Sequence, residues 1–142
     1  MQKTNKPFLR TGILLLLLLL LIAGLFAAKA HRKPPQDAVI LPDAAAREAW
    51  LTLRGWQLGT PAVSETCIPA EWKTPAGQQW LALQHQQGLS PEQYAGLAAK
   101  RYLYPAENAG SAHCKAELLL CGDALAGAQI YDEETQVMRP VR

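Results

Sequence analysis

The segment Ile13–Ala28 reads Ile-Leu-Leu-Leu-Leu-Leu-Leu-Leu-Leu-Ile-Ala-Gly-Leu-Phe-Ala-Ala, and no run so uniformly apolar is stable in water. It therefore decides which solvent the rest of the chain meets. A helix rises about 1.5 Å per residue and the hydrocarbon layer is about 30 Å thick, so a spanning helix needs about 20 apolar residues. Counting from Phe8 through Ala28 reaches that length, with Arg10 extending its guanidinium to the headgroups while its stem lies along lipid. Residues 13–28 are thus expected to be a transmembrane helix or signal anchor, with membrane contact over residues 8–28.

The competing reading is a cleaved secretory signal. Lys3, Lys6 and Arg10 give a basic start, and Ala28-Lys29-Ala30 fits a small-x-small cleavage pattern near Ala30. Against cleavage, Lys29, Arg32 and Lys33 follow the run directly, as a stop flank does. Both readings export the domain. Basic residues flank both ends, so the positive-inside rule is nearly balanced. The short basic tail at residues 1–12 carries no folding pattern, whereas all twelve acidic residues lie beyond the run. The expected arrangement is a cytoplasmic tail and an extracytoplasmic carboxyl-terminal domain at the cell membrane.

Residues 34–142 hold eight Lys/Arg against twelve Asp/Glu, a net of minus four, which gives no basic footprint for nucleic acid. Residues 29–42, with Pro34, Pro35 and Pro42, read as a semi-extended stalk. About 100 residues remain from 43 to 142, enough for one small core.

Asp43 is placed as an N-cap, and Ala46, Ala49, Trp50 and Leu53 fall on one helical face that would put Trp50 in the core before Gly55 ends the helix. Ala62 to Ile68 suggests a strand, with Trp56 and Leu58 in a second short strand or an irregular arm. Pro75 opens a second helix running to Gln87, with Trp80 and Leu83 on one side and Gln78, Gln79 and Gln86 outward. Ser90, Pro91 and Gln93 form a capping-box pattern, with Leu89 and Tyr94 at staple positions and Gly96 as the stop. A strand is expected from Leu97 to Pro105. Cys114–Leu120 and Leu125–Tyr131 flank Cys121-Gly122-Asp123-Ala124 as a hairpin, and Gln136–Val141 could add an edge strand. The order argues for an α+β domain: a small antiparallel sheet of four to five strands with two to three helices on one face, preceded by one transmembrane helix.

At this point the residues resemble the family of small extracytoplasmic domains known as domain of unknown function 4830, from about Leu51 to Met138. The pieces that carry the resemblance are Gly55-Trp56-Gln57-Leu58, Ile68-Pro69, Leu83-Gln84 leading to Gln87-Gly88-Leu89, Tyr94-Ala95-Gly96, Lys100-Arg101-Tyr102-Leu103-Tyr104 and Ala116-Glu117-Leu118-Leu119. The family usually carries Gly-Gly-Asp where this chain has Gly127-Ala128-Gln129, so an acid is missing here and no site can be built on it. The resemblance implies membrane attachment and no activity.

Three cysteines leave at least one unpaired or bridging between chains. Cys114 and Cys121, at the ends of an extended strand, lie on the order of 20 Å apart and cannot bridge. Cys67 with either of them stays open, and three thiols acting as small core residues is the favoured reading. A catalytic set could be written from Cys114 or Cys121 with His85 and Asp123, yet the spacing does not support it, and adjacent His113 and Cys114 point to opposite faces of a strand. Asp132-Glu133-Glu134 reads as a solvated turn rather than a cation loop. No catalytic, cofactor or metal residues are assigned. The expected interaction surface is Trp72, in a proline-bracketed loop, with Tyr102 and Tyr104, or the sheet edge. The reading is a non-enzymatic module that binds an envelope protein or cell-wall component. An envelope enzyme with an unrecognised site, or a secreted domain after cleavage, is the alternative.

Overall fold

The computed structural model describes residues 16–18, 20 and 34–141. Leu16, Leu17, Leu18 and Leu20 are helical and exposed, while the rest of the expected span, the basic tail and residues 29–33 lie outside the described residues. Among the described residues no helix is long and apolar enough to cross a membrane.

From residue 34 the chain builds an α+β domain. Its elements are α1 (Ala44–Thr52), β1 (Ala62–Cys67), α2 (Pro75–Gln86), a 3-10 turn (Pro91–Tyr94), β2 (Ala98–Pro105), β3 (Cys114–Cys121), β4 (Ala124–Asp132) and β5 (Met138–Arg139). The five strands form one antiparallel sheet in the order β1-β2-β3-β4-β5. The expected sheet and its three helical segments are therefore present.

Asp43 caps α1 by accepting the N–H of Ala46 at 2.8 Å. Gly55, at φ +90°, closes it, with the N–H of Trp56 returning to the Leu51 carbonyl and that of Gly55 to Thr52. The buried face differs from the one the apolar spacing suggested: Leu51 is fully buried, Trp50 half-buried, and Leu53 is 86% exposed. The reason lies in Arg54 and Arg47. Arg54 lies over the Trp50 ring at 3.5 Å, so the half-buried indole packs against the larger core on one side and carries a guanidinium on another. Arg47, one turn before Leu51, stacks on Tyr102 at 4.1 Å and donates from Nε to the Tyr104 hydroxyl at 3.3 Å. A cation thus occupies a position where periodicity would place a hydrophobe.

Strand register sorts the sheet's side chains. Leu118 lies opposite Tyr102 and Ala128, and Ala116 opposite Tyr104 and Ile130, so these share one face. They form the larger core with Leu51, Leu41, Leu89 and Val141. Arg101, Leu119 and Gly127 share the other face, where Ile68, Tyr94, Ala99, Ala124 and Ala126 make a second cluster with Trp72 and Leu119 against it. The helices consequently divide between the faces, α1 on the first and α2 with the 3-10 turn on the second, correcting the expectation that they share one. Small residues make this possible: the register shifts between Leu119 and Leu120, and an ideal Cβ on Gly127 would lie 2.9 Å from Trp80 Cζ2, so only glycine admits the indole.

Two further expectations change. Ser90 makes no side-chain cap bond, and the segment is a 3-10 turn rather than a capped α-helix; Leu89 and Tyr94 are both buried but belong to different clusters, so they do not act as a staple. The stalk boundary also moves: Ile40 pairs with Ala124, the Leu41 N–H reaches the Asp123 carbonyl and the Leu125 N–H reaches the Val39 carbonyl. Val39–Leu41 belong to the domain, because Leu41 has core to fill at 4% exposure.

Candidate interaction surface

The residues expected to form a surface are placed unequally. Tyr104 is fully buried and offers none. Tyr102 is half-buried beneath Arg47. Trp72 is half-buried and stacks on Trp80, with rings 6.2 Å apart and 7° from parallel, in the second core cluster. Its carbonyl accepts from Gln78 Nε2. Periodicity could not show this, because the contact joins a loop to a helix one turn inside its start. The Trp72 loop is therefore a packed element and not a projecting aromatic.

The sheet edges are also unequal. Along β4 beyond the two-residue β5, three devices cover the backbone. Val39–Leu41 pair with its start. Gln84 Oε1 then accepts the N–H of Ala128 at 2.8 Å, and Gln87 Nε2 donates to the Ala128 carbonyl at 2.8 Å. Gln87 Oε1 goes on to take the N–H of Val141 at 2.7 Å. The opposite edge, β1, has none of this. Among the described residues no hydrogen bond from outside β2 reaches the backbone of Ala62–Cys67, and every residue of the strand except Thr66 is exposed. Val63 is 56% exposed. An uncovered strand edge is a template for another strand.

Two grooves flank β1. Near its start, Glu48 and Thr52 of α1 face Trp56, Thr60, Pro61 and Glu107 across one groove. Near its other end, Glu65 shares a groove with Arg47, Lys100, Tyr102 and Leu120. Glu48, Glu65 and Glu107 take part in no ion pair among the described residues. None of the three stood out in the sequence, since isolated glutamates carry no spacing signal; Pro61 just before a weakly apolar strand was the one local hint of an edge.

The groups considered for catalysis are not brought together. His85 Nε2 pairs with Glu92 at 2.6 Å, and His113 with Glu134 at 3.8 Å. Cys114 is buried, with its thiol donating to Asp132 Oδ2 at 3.4 Å, and burial pushes it up from the ordinary thiol range. Cys121 is pushed up to about 11, first by burial and then by the charge of the Cys67 thiolate. Both shifts oppose thiolate formation, the reverse of what activates a nucleophile. Cys67 is exposed, not a core residue. Thr66 lies opposite Ala99, and Cys121 continues the register that pairs Lys100 with Leu120, so Cys67 and Cys121 are two strands and one residue apart. That is about 10 Å, beyond the ~7 Å reach of a disulfide.

Asp132 Oδ1 accepts the N–H groups of Glu134 and Thr135 at 3.0 Å, so the acidic run is a hydrogen-bonded turn. Among the described residues no group of three or more His, Cys, Asp or Glu is placed to hold a metal. One buried polar set remains. Glu117, 6% exposed, accepts from Arg101 Nε at 2.5 Å and from Gln129 Nε2 at 2.6 Å. Gln129 thus serves a structural carboxylate. No protein-family model, curated protein or solved structure matches the chain.

Proposed function

We propose that this chain is a non-enzymatic, single-pass membrane-anchored protein, held through residues 8–28, whose domain stands on the extracytoplasmic side and binds an extended segment of an envelope protein by strand addition to β1. The anchor rests on the leucine run, and the side on the short amino-terminal tail, which carries no folding pattern, and on the resemblance to the extracytoplasmic family. The binding mode rests on one observation: the β4 edge is covered along its length by three separate contacts, while the whole of β1 is left open. A fold that spends two glutamines and a segment of its own chain on one edge and nothing on the other presents the second edge for use.

Topology is tested with a membrane-impermeant maleimide on intact cells. Cys67 is the exposed thiol, so labelling that disappears in Cys67→Ala supports the outward domain, and labelling only after lysis overturns it. Intact mass of the mature protein separates an anchor from cleavage near Ala30. For the binding mode, a photo-crosslinking residue replaces Ser64 on β1 or Gln79 on the exposed side of α2. Adducts with one envelope protein from position 64 and none from 79 support strand addition. Equal adducts from both overturn it.

A further inference from the structure

From the charges around the open edge we infer that the segment β1 accepts is basic, with an apolar residue seated beside Val63 and a Lys or Arg two residues later reaching the Glu48/Glu107 groove. This deepens the strand-addition reading and rests on it. An occupant must satisfy both the backbone edge and the side chains beside it. The edge strand, Ala62-Val63-Ser64-Glu65-Thr66-Cys67, contains a carboxylate and no cation. A second copy of β1 set with Glu65 opposite Glu65 would bring like charge to like charge, which disfavours that register of self-pairing.

The grooves give the order of side chains. Val63 is opposite Tyr102, on the sheet face that α1 covers, and is left more than half exposed. On an added strand, the residue opposite Val63 shares that face and gains apolar contact. Side chains alternate, so the next residue on the same face is two positions on, opposite Pro61. There it meets the groove formed by Glu48, Thr52, Trp56, Thr60 and Glu107. Two carboxylates, neither in an ion pair among the described residues, and an indole surface suit an ammonium or guanidinium head on an aliphatic stem. Arg139 already lies over the Trp56 ring at 5.7 Å, so the two carboxylates, more than the indole, set the demand for a cation. At the other end the charge is already balanced. Arg47 and Lys100 share that groove with Glu65 and Asp123, two charges of each sign, so it makes no comparable demand. For a segment running antiparallel to β1, the order from amino to carboxyl end is apolar, any residue, basic.

The test uses the full chain in detergent micelles and fluorescein-labelled octapeptides that alternate Val and Thr. One carries Lys two residues after a central Val; matched peptides carry Gln or Glu there, and a fourth repeats the Lys peptide with alternate amides N-methylated. The Lys peptide is expected to bind at least tenfold more tightly than the Glu peptide. Glu48→Gln with Glu107→Gln should erase most of that difference while leaving Gln-peptide affinity unchanged. Lys and Gln peptides binding equally to the parent protein would overturn the charge inference and leave strand addition standing. An N-methylated Lys peptide that binds as well as its parent overturns strand addition itself. Lys-peptide binding unaltered in the double variant overturns the assignment of Glu48 and Glu107.

Discussion

Gln84 and Ala128 are joined as neighbouring strands would be joined: the side-chain carbonyl of Gln84 takes the backbone N–H of Ala128 at 2.8 Å, and Gln87 takes the carbonyl of the same residue. A helix thereby completes a sheet edge without supplying a strand. Gln84→Leu leaves a buried N–H unpaired, which costs about 1–3 kcal/mol. Gln84 Nε2 is itself buried with no partner among the described residues, so its removal offsets part of the loss. The expected net is about 1–2 kcal/mol, read as a lower urea midpoint at unchanged slope, together with faster hydrogen exchange at the Ala128 amide.

Gly127→Ala tests why helices lie on both faces. A Cβ there comes 2.9 Å from Trp80 Cζ2 and 3.5 Å from Leu119 Cδ1, and neither ring nor strand can retreat freely in a packed sheet. Overpacking of this kind costs about 1–3 kcal/mol. The double variant with Trp80→Leu should recover most of it relative to Trp80→Leu alone, so the two changes couple. Independent losses would show that Gly127 is needed for its backbone and not for the indole.

Much of this fold was legible where one residue type has one physical use. Asp43 and Pro75 mark helix starts, Gly55, Gly88 and Gly96 take positive φ at element ends, and Gly122 supplies the positive φ of the two-residue β3–β4 turn. What stayed illegible was long-range and side-chain-borne. Leu51 was missed because Arg47 and Arg54 cover aromatics and let a cation share the inward face. Gln84 was missed because a glutamine facing inward gives no apolar signal, although it follows Trp80 by one helical turn. The two faces could not be told apart before the Leu119/Leu120 register shift was known. For the candidate surface, the sheet edge was named but not which one, and two of the three aromatics named with it turned out to be packed.

The Arg101–Glu117–Gln129 set gives an asymmetric prediction. Glu117 is buried, whereas the Arg101 side chain is about a third exposed. Removing Arg101 leaves a buried carboxylate held only by the Gln129 amide, and removing the carboxylate leaves a guanidinium that water can reach. Breaking a fully buried pair costs about 3–5 kcal/mol, and partial exposure of the arginine reduces this to about 2–3 kcal/mol for Arg101→Met. Glu117→Gln, which keeps shape and some hydrogen bonding, should cost less than half as much. Chemical denaturation of both variants in the same buffer decides it; equal losses would mean that packing and not charge dominates.

Cys121 yields a pH signature. Its thiol is raised from 9.0 to about 11 in the folded chain, chiefly by burial. In the unfolded chain it ionises near the ordinary value, so between the two values the unfolded state has lost a proton that the folded state keeps. Fewer protons on the unfolded state means stability falls as pH rises. This contribution is complete below about pH 9 and is lost as pH climbs through about 11. Two pKa units correspond to about 2.7 kcal/mol, and solvent screening of a half-buried group brings the expected figure to about 1 kcal/mol. Other side chains titrate in the same range, so the informative quantity is the stability of the parent minus that of Cys121→Ala, measured at pH 8 and pH 10.5. That difference should shrink at the higher pH. Thiol labelling supplies an independent reading: at pH 8 the raised value leaves Cys121 about a hundredfold less ionised than an ordinary thiol, so exposed Cys67 should react far ahead of it, and Cys121 reacting at a comparable rate would place its sulfur in water.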